Sequence, residues 1–502
     1  MTSHAMTEDE TGVVAELTIF LDRPGATINR NLYGHFIEHL GRCIYDGLWV
    51  GQASEIPNER GIRSDVVRAL RQLEVPVLRW PGGCFADQYC WRDGIGPRPD
   101  RPRTLNTHWG GVVETNQFGT HEFMDLCEQI DAEPYVTGNL GSGTVREMVQ
   151  WVEYMTSNVD TTMVEMRRAN GRNHPFRLPY FGLGNENWGC GGRMRADYYA
   201  DQLRRYSSFV RNYGGNRVCR VACGPNSVDY EWTETVMSRA GSDLDALSLH
   251  YYTVPGTDWN HKGAATGFSE SEWIATLAKA LVMDELLTRH GEILDRFDPD
   301  RRVSLIVDEW GTWYDVEPGT HPGFLYQQNS LRDALVAAIT LGFFHQHSAR
   351  VSMANLAQMV NVLQAVILTE GDRMVLTPTY HVLEMYKCHR GATLVPVELP
   401  SPNYTFGSVQ IPMLYATASR SAQARLHVSL VNVHPHKAAR IVAPGLHGPV
   451  SGRLLTGASM DVHNDFDHPE AVSPIALSHV DLGSPDSSLL LPAKSVLVLE
   501  AD

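Results

Sequence analysis

The stretch Val303-Ser-Leu-Ile-Val-Asp-Glu-Trp-Gly311 is a short apolar run that ends in an acid where the chain turns. A second stretch of the same form is Tyr180-Phe-Gly-Leu-Gly-Asn-Glu-Asn-Trp-Gly189, so the two runs end at Glu309 and Glu186. Both predict buried strands. A carboxylate at the C-terminal end of a buried strand costs desolvation free energy, and a fold keeps such a group mainly where chemistry needs it.

Eight apolar runs of this kind recur along the chain with helical stretches between them, and they lie at Leu32 to His39, Val75 to Pro81, Pro134 to Leu140, Tyr180 to Asn185, Val218 to Cys223, Ala246 to Tyr252, Val303 to Glu309 and Arg350 to Leu356. The helical stretches carry signals of their own, such as the capping-box pattern Ser269-Glu-Ser-Glu272. Alternation of strands and helices predicts an α/β fold, a (β/α)8 TIM barrel at residues 31–390.

The pattern changes after Gly391. Short alternating runs separated by turn residues predict a β-sandwich at residues 391–502. Residues 13–30 precede the barrel, begin with strand character, and are predicted to pair with this sandwich. The polar residues 1–12 are predicted to be disordered.

Two strand–helix connections are long, at residues 86–118 and 253–268, and barrel enzymes build substrate pockets from such loops.

Charge and cysteine content narrow the possible partners and compartments. The chain has 502 residues and a net charge of −16, which disfavours nucleic acid and anionic membranes as partners. The N-terminus has no signal peptide pattern, and no stretch is long enough to span a membrane. The eight cysteines form no CxxC pair, so we expect free thiols in a reducing cytoplasm.

The two strand-terminal glutamates predict a catalytic pair. Glu186 ends strand 4 and Glu309 ends strand 7, so they face each other across the mouth of a closed eight-stranded barrel. In retaining glycosidases two such carboxyl groups stand roughly 5–5.5 Å apart, where one protonates the leaving oxygen and the other attacks the anomeric carbon. The alternative interpretation makes each glutamate a buried ion-pair partner of an arginine.

A third acid, Glu38, ends strand 1 in His35-Phe-Ile-Glu-His39, which matches an H-x-x-E-H zinc pattern. That chemistry needs a helix, whereas this run alternates like a strand, on which residues four apart are separated by roughly 13 Å. Hydrogen bonding of Glu38 to substrate is therefore the favoured interpretation, and a structural ion pair is the alternative.

Three further strand ends carry weaker signals. The glycine pair in Arg79-Trp-Pro-Gly-Gly-Cys84 lets the backbone approach a ligand closely, or simply forms a tight turn. Gly138-Asn-Leu-Gly-Ser-Gly143 is glycine-rich, but its spacing is not that of a dinucleotide site. His250-Tyr-Tyr252 could place a tyrosine hydroxyl beside the nucleophile, or could be ordinary packing.

The chain resembles family 51 of the glycoside hydrolases, the α-L-arabinofuranosidases of clan A, over nearly its whole length. The motifs that carry the resemblance are Tyr33-Gly-His-Phe-Ile-Glu-His39, Arg79-Trp-Pro-Gly-Gly83, Asp93-Gly-Ile-Gly-Pro97, Gly184-Asn-Glu-Asn-Trp188, Leu249-His-Tyr-Tyr252, Asp308-Glu-Trp310, Gln358-Met-Val-Asn361 and His463-Asn-Asp-Phe-Asp467. Two loops depart from the commoner family pattern, Phe85 to Trp91 and Thr107 to Val113. These departures leave the aglycone preference open.

The resemblance implies roles for individual residues. Glu186 would be the general acid/base and Glu309 the nucleophile. The positions implied to contact the arabinofuranose ring or border its pocket are Glu38, Cys84, Asn185, Tyr252, Gln358, Trp313 and Trp109. The family fold implies a jelly-roll-like sandwich beside the barrel, a homohexamer, and no catalytic metal or cofactor.

The resulting hypothesis is a retaining exo-acting enzyme that releases terminal α-L-arabinofuranosyl residues from arabinoxylan- or arabinan-derived oligosaccharides. One alternative is another clan A glycosidase, a β-xylosidase or an endo-acting glucanase or arabinanase. A non-catalytic glycan-binding protein is a more distant alternative, because both catalytic acids are present.

Overall fold

A computed structural model describes residues 8–9, 12–256, 258–444, 446, 449–481 and 488–501. Its centre is a closed barrel of eight strands, each parallel to its neighbours. In chain order these strands are β1 Gly34–Phe36, β2 Val77–Trp80, β3 Glu133–Gly138, β4 Tyr180–Leu183, β5 Cys219–Ala222, β6 Ala246–Thr253, β7 Ser304–Thr312 and β8 Val351–Ala357. The predicted TIM barrel is confirmed, and each predicted run contains or overlaps one strand.

Helices return the chain from each strand end to the start of the next strand. They are α1 Ser64–Leu73, α2 Thr120–Ile130, α3 Val145–Thr156, α4 Thr162–Ala169, α5 Ala196–Ser207, α6 Tyr230–Ala240, α7 Glu270–Ala280, α8 Val282–Phe297, α9 Leu331–Gln346 and α10 Pro378–Tyr386. The predicted capping box is present: the Ser269 side chain accepts from the N–H of Glu272, whose carboxylate accepts from the N–H of Ser269. These bonds satisfy donors that the first turn of α7 would otherwise leave unpaired.

The direction and register of the barrel strands bring the polar side chains at their C-terminal ends together at one end of the barrel. Because all eight strands run in the same direction, their C-terminal ends meet there. The long strands β6 and β7 are paired so that His250 lies directly beside Glu309. The strand β1 is shorter than predicted, because residues Arg30–Tyr33 form a 3-10 turn capped by the Asn29 side chain.

The second domain consists of two sheets. One has six strands in the order Thr393–Val395, Leu414–Arg420, Leu426–Asn432, Ser495–Ala501, Pro449–Leu455 and Ile475–Asp481, and the other has four in the order Glu8–Asp9, Gly12–Glu16, Ala439–Val442 and Leu489–Leu491. The N-terminal strand Gly12–Glu16 lies parallel to Ala439–Val442. The expectation of disorder for residues 1–12 falls mostly on residues 1–7, 10 and 11, which lie outside the described residues.

Short paired segments complete the described secondary structure: Thr18–Ile19 with Val397–Glu398, Asn58–Glu59 with Ile62–Arg63, Thr104–Leu105 with Val113–Glu114, Ile367–Glu370 with Arg373–Leu376, and Asn403–Phe406 with Val409–Pro412. Within the described ranges, no helix is both long and apolar enough to cross a bilayer.

One hydrophobic core runs through both domains. Helices α9 and α10 pack against the sandwich strands, and buried side chains from barrel and sandwich belong to the same contiguous cluster. The Trp273 indole N–H donates to the backbone carbonyl of Val433, 3.0 Å across the boundary. The sandwich is therefore packed on the barrel as part of one folded body.

Candidate active site

Glu186 follows the end of β4 in an unusual backbone conformation. Its φ is +42°, in the left-handed region that non-glycine residues seldom adopt. Its Oε1 atom lies 2.9 Å from the His250 Nδ1 atom. Its Oε2 atom lies 3.4 Å from the Cys190 sulfur and 3.8 Å from the Cys84 sulfur. Burial raises the pKa of Glu186 above its usual value and the negative charge of Glu309 adds to this, while the His250 bond opposes both.

Glu309 lies on β7 and is buried among donors. Its Oε1 atom accepts from the Arg79 guanidinium at 2.9 Å, and its Oε2 atom accepts from the Tyr252 hydroxyl at 2.8 Å. The alternative prediction from the sequence, a buried ion pair with an arginine, is therefore also true of Glu309, because Arg79 is its partner. Glu186 is different: its charged neighbour is a histidine. The two acids therefore sit in unlike environments, which is the arrangement that separates acid and nucleophile roles.

The two carboxyl groups are close to each other. One oxygen of Glu186, one oxygen of Glu309 and a ring nitrogen of His250 all lie within 4.8 Å of one another. Inverting glycosidases hold their carboxyl groups about 6.5–9.5 Å apart, and retaining ones about 5–5.5 Å apart. An approach of two carboxylate oxygens to within 4.8 Å is compatible with the shorter spacing.

His250 connects the two acids to Asp308. Its Nδ1 atom faces Glu186, and its Nε2 atom lies 3.1 Å from Asp308 Oδ1. Burial disfavours the charged imidazolium, but Glu309 and Asp308 outweigh burial and raise the pKa of His250 to about 10. Arg79 and the positive His250 hold the pKa of Asp308 below its usual value despite burial. Two cations thus balance the carboxylates of Asp308 and Glu309, whereas the pKa of Glu186 is raised above its usual value.

Glu38 lies just past β1 and accepts four hydrogen bonds. The N–H groups of Gly83 and Phe85 and the Trp109 indole donate to its Oε1 atom at 2.9, 3.0 and 2.9 Å. The Gln358 amide donates to its Oε2 atom at 2.9 Å. Burial and the charge of Glu309 raise the pKa of Glu38 to about 7. The structure therefore joins Glu38, Trp109 and Gln358 from distant parts of the sequence, and all four donors to Glu38 are uncharged.

Two buried amide atoms at the site have no partner within the described part of the chain. They are the Nδ2 atom of Asn185 and the Oε1 atom of Gln358. The other side-chain atoms of these amides are held, because Asn185 Oδ1 accepts from Arg79 at 2.5 Å and Gln358 Nε2 donates to Glu38. Burying an unpaired amide atom is costly. One fixed donor and one fixed acceptor are thus available to a polyhydroxylated ligand.

Tyr252 and Trp313 form the next part of the wall. The two rings meet edge to face with centroids 5.0 Å apart, and the Tyr252 hydroxyl reaches Glu309. The structure thus brings together Glu186, Glu309, Tyr252 and Trp313. Asn185 shares the Arg79 guanidinium with Glu309, and Gln358 and Trp109 both donate to Glu38.

The expectation of free thiols is wrong for two cysteines. Cys84 and Cys190 form a disulfide across 106 residues, which links the loops after β2 and β4 beside Glu186. No spacing rule could find this pair, because the two loops become neighbours only when the barrel closes. The other six cysteines are free. A hydroxyl-binding role for Cys84 stays a prediction, and in this state its sulfur has no proton to donate.

The glycine pair of the β2 motif is required by close approach to the acids. A Cβ atom on Gly82 would come within 2.7 Å of the Glu38 side chain, and one on Gly83 within 2.8 Å of Glu309 Oε1. Both distances are shorter than real Cβ contacts. The turn therefore lets backbone pack directly against two carboxyl groups.

Asp87, in the loop that departs from the commoner family pattern, is buried beneath the site. Its Oδ1 atom accepts from the N–H groups of Leu140 and Gly141, both at 2.7 Å. Its Oδ2 atom accepts from the Asn185 N–H at 2.8 Å and the Asn187 amide at 3.0 Å. Asp87 thus holds the residues on both sides of Glu186.

The structure also shows what the glycine-rich loop after β3 and the His35 to His39 motif do. The glycine-rich loop after β3 directs its N–H groups at Asp87 and at the Asn139 side chain, which leaves them engaged. The His39 ring contacts Glu114 through Nδ1 and the Trp80 indole through Nε2. His35, Glu38 and His39 form no metal-ligand cluster among the residues the structure describes.

Three participants were not singled out from the sequence: Arg79, His250 and Asp308. Each lies inside a motif quoted from the sequence, and Asp308 directly precedes Glu309. The sequence feature that could have identified them is a charged or titratable residue within a strand predicted to be buried, because such a residue needs a hydrogen-bonding or charged partner. Which partner it finds depends on register between strands, and only the closed barrel supplies that.

Comparison with known proteins agrees with this geometry. Residues 69–256 match the family model described as the alpha-L-arabinofuranosidase 1 domain, and residues 308–495 match the alpha-L-arabinofuranosidase C-terminal domain. A Bacteroides ovatus protein named intracellular exo-alpha-L-arabinofuranosidase is 49% identical over 97% of this chain and 95% of its own length.

Solved structures agree as well. The crystal structure of the GH51 arabinofuranosidase from Xanthomonas axonopodis pv. citri superposes with a TM-score of 0.95 at 48% identity, covering 97% of this chain and 100% of that one. The alpha-L-arabinofuranosidase from Thermotoga maritima, solved as an arabinose complex, superposes with a TM-score of 0.84 at 32% identity, covering 98% and 99%.

A TIM barrel with one carboxyl group after strand 4 and another on strand 7 defines the class: a glycoside hydrolase. Within that class, this chain belongs to family 51, the α-L-arabinofuranosidases. The resemblance stated from the sequence is confirmed.

Proposed function

We propose that this protein is a retaining, exo-acting α-L-arabinofuranosidase that removes terminal non-reducing arabinofuranosyl groups from arabinoxylan- or arabinan-derived oligosaccharides. The observation that carries the proposal is the pair Glu186 and Glu309, with oxygens within 4.8 Å and in opposite electrostatic settings. Glu309 is held by a guanidinium and a tyrosine hydroxyl, whereas burial and Glu309 itself favour protonation of Glu186.

In the first step Glu309 attacks the anomeric carbon and the bond from that carbon to the leaving oxygen breaks. Glu186 gives its proton to that oxygen, so the aglycone departs as a neutral alcohol. The His250 bond occupies Oε1 of Glu186 as an acceptor, which leaves Oε2 to carry the proton. The sulfurs beside Oε2 cannot donate to it, and so they do not stabilise the carboxylate form.

In the second step water replaces Glu309 on the anomeric carbon. Once Glu309 is an ester its negative charge is gone, so the pKa of Glu186 falls and the carboxylate can accept a proton from the attacking water. Inversion at each of two displacements gives net retention.

Recognition of the sugar rests on the polar residues around the pair. Asn185 Nδ2 and Gln358 Oε1 offer one donor and one acceptor, and Glu38 is held by three N–H groups and the Gln358 amide. Tyr252 contacts the nucleophile, while Trp109 and Trp313 supply aromatic walls. Cys84 is proposed to contact the sugar through its sulfur without donating a hydrogen bond to it.

Assembly and location are proposed from relatedness. Family resemblance supports a homohexamer, and the Bacteroides ovatus relative is named intracellular, which supports a cytoplasmic location for this chain. Sedimentation of the purified protein tests the assembly: a 56.0 kDa chain that stays a monomer contradicts it.

Hydrolysis of an aryl α-L-arabinofuranoside tests the function. We expect the wild type to release the aryl alcohol, Glu309→Ala to lose at least about a thousandfold in kcat, and the exposed control Glu285→Ala to match wild type. Proton NMR of the first product should show the retained anomer. An inactive wild type or an inverted first product contradicts the proposal.

A further inference from the structure

Two sulfur atoms and one carboxylate lie together at the barrel mouth. The Cys190 Sγ atom is 3.4 Å and the Cys84 Sγ atom 3.8 Å from Oε2 of Glu186. One such atom from each of the three residues lies within 4.8 Å of the other two. Among the described residues, only one other set of three, Glu186, His250 and Glu309, brings potential metal ligands so close together. Thiolate and carboxylate groups are both ligands of zinc.

The sulfur–oxygen distances are those of a tetrahedral metal site. Zinc binds thiolate sulfur at about 2.3 Å and carboxylate oxygen at about 2.0–2.2 Å, so a sulfur and an oxygen on one ion are about 3.6 Å apart. The observed distances of 3.4 and 3.8 Å lie on either side of that value. The two sulfurs differ, because they share a covalent bond, whereas two thiolates on one zinc stand about 3.8 Å apart. Breaking the disulfide therefore leaves three ligands with suitable spacing.

The loops after β2 and β4 remain joined when the disulfide is broken, because Asp87 also connects them. Asp87 ends the 3-10 turn Cys84–Asp87, so it belongs to the same short element as Cys84. Its carboxylate accepts from the Asn185 N–H at 2.8 Å and from the Asn187 amide at 3.0 Å, both on the loop after β4. These bonds keep the two cysteines near each other without a covalent link.

Cys190 is held beside Glu186 by its own loop. Its two chain neighbours, Gly189 and Gly191, both donate their N–H groups to the Glu186 carbonyl, at 2.7 and 3.0 Å. Neither bond depends on the disulfide. Ligands that are already in position lose less conformational entropy when an ion binds.

The surroundings of Glu186 suit a metal ligand. Its Oε1 atom lies 2.9 Å from His250 Nδ1, and metal-bound carboxylates are commonly held by such an outer hydrogen bond. The carboxylates of Glu309 and Asp308 raise the pKa of His250 to about 10, so this ring is a donor and not itself a ligand. Glu186 and the two cysteines are half-buried, which leaves them accessible to an ion from solvent.

We propose that reduction of the Cys84–Cys190 disulfide creates a binding site for a thiophilic divalent cation such as Zn²⁺, with the two thiolates and Oε2 of Glu186 as ligands. A phosphine supplies the two electrons: the S–S bond breaks, water provides the two thiol hydrogens, and its oxygen leaves as phosphine oxide. Binding of the ion then displaces one proton from each thiol to solvent. Mg²⁺ and Ca²⁺ prefer oxygen ligands, so the sulfurs select against them.

An ion at this site blocks the proposed reaction. While Oε2 of Glu186 is bound to metal, it cannot give a proton to the leaving oxygen or accept one from water. This consequence rests on the proposed function. Binding of the ion does not, because it requires only the three ligand atoms.

Cobalt(II) is the probe for binding, because tetrahedral cobalt absorbs visible light and its thiolate bonds add a charge-transfer band in the ultraviolet. The full chain is reduced with a phosphine and desalted without oxygen, and thiol titration verifies two additional thiols. We expect one Co²⁺ per reduced chain with both absorptions, displaced by Zn²⁺, and neither absorption in untreated protein. A reduced chain without the thiolate–metal band overturns the proposal.

Two variants each remove one ligand. Glu186→Gln keeps the disulfide and both cysteines, and should weaken Co²⁺ binding to the reduced chain at least about tenfold. Cys190→Ser should weaken it similarly and lower the charge-transfer band. The control is Cys90→Ser, which removes a half-buried free thiol from the loop that carries Cys84 and should bind as wild type does. Wild-type binding by Glu186→Gln or Cys190→Ser would place the ion on other thiols and overturn the proposal.

Hydrolysis of an aryl α-L-arabinofuranoside separates this proposal from the proposed function. Saturating Zn²⁺ should lower the rate of the reduced enzyme at least about a hundredfold, a chelator should restore it, and the untreated enzyme should be unaffected. An enzyme that is inactive in both states without metal refutes the arabinofuranosidase assignment, and the cobalt spectrum still decides the metal site. A reduced enzyme that binds Co²⁺ and keeps full activity overturns Glu186 as a ligand.

Discussion

Asp87 shows how one side chain can set the position of another. Glu186 has a left-handed backbone conformation, which costs on the order of 1–2 kcal/mol for a non-glycine residue. Asp87 accepts from the residue before Glu186 and the residue after it, and so holds that conformation in place. The Asn187 N–H is held separately, 3.3 Å from the Cys223 sulfur.

Replacing Asp87 by asparagine is expected to impair the acid more than the nucleophile. The amide would turn an N–H group towards backbone donors, displacing the loop that carries Glu186. We expect kcat/KM to fall about tenfold to a hundredfold for substrates with poor leaving groups, and much less for a dinitrophenyl glycoside that needs no proton.

The measurement is a plot of log kcat/KM against leaving-group pKa for wild type, Asp87→Asn and the exposed control Asp100→Asn. A steeper slope for Asp87→Asn alone supports the positioning role. A parallel drop for every leaving group would mean only general damage to the fold.

The disulfide gives Glu186 a redox-dependent neighbour. Treatment with a dithiol reagent converts the bond to two thiols and oxidises the reagent to its own disulfide. A thiol at Cys190 can donate to Glu186 Oε2, which stabilises the carboxylate and lowers the pKa of Glu186. A lower pKa means that the proton is lost at lower pH, so the alkaline limb of kcat/KM should move towards acid.

The check is a pH–rate profile with and without dithiothreitol, with thiol titration to verify reduction. The double variant Cys84→Ala/Cys190→Ala should be indifferent to the reagent. A profile that stays in place after two additional thiols have appeared would contradict this prediction.

At the scale of elements, α9 and the turn after α10 meet the sandwich through neutral histidines. His345 on α9 contacts the Tyr33 hydroxyl at 2.8 Å and Thr417 at 3.2 Å, and His389 contacts Ser419 and Ser429, both at 2.7 Å. Burial lowers the pKa of His345 from 6.5 to about 3 and that of His389 well below its usual value.

Acid should therefore weaken this boundary. The unfolded chain binds protons at these histidines near pH 6.5 and the folded chain does not, so stability is present above pH 6.5 and lost as pH falls from 6.5 towards 3. Each histidine contributes up to about 1.4 kcal/mol per pH unit in that window. Melting temperature measured from pH 7 to pH 5 should fall less steeply for His345→Gln than for wild type.

A second histidine near the end of α9 is the matched control. His347 is partly exposed and contacts Asp284 at 2.7 Å, and a positive imidazole is attracted to that carboxylate, so His347→Gln should not make the fall less steep. Equal slopes for wild type and His345→Gln would show that His345 takes up its proton without unfolding.

At the scale of the whole molecule, barrel and sandwich stabilise each other. Besides the shared core, the Leu331 N–H at the start of α9 donates to Val462 of the sandwich at 2.9 Å. The Gly267 N–H, on the loop that carries Trp259, donates to Asp461 at 3.1 Å. The sandwich thus contacts both a barrel helix and the rim of the substrate mouth.

Calorimetry should accordingly record one cooperative unfolding transition for both domains. Trp273→Phe, which removes the indole bond to Val433, should lower the midpoint by a few degrees and still give one transition. Two separated transitions in the wild type would contradict the shared core.

The sequence by itself determined the class of fold and the main candidates at the site. Eight apolar runs with helices between them predicted the barrel, because strand periodicity and helix capping are local properties. Glu186 and Glu309 were found for the same reason: an acid at the end of a buried run is visible without knowing its neighbours. The relatedness to family 51 rests on local motifs as well.

Only the tertiary structure decided which groups form hydrogen bonds, ion pairs or a disulfide with each other. Arg79, His250 and Asp308 acquire their roles from strands that are distant in sequence and adjacent in the barrel. The Cys84–Cys190 bond and the Asp87 contacts likewise join loops after different strands. Electrostatic interactions and disulfide formation depend on the distance between groups in space. The separation of two residues along the chain does not determine that distance.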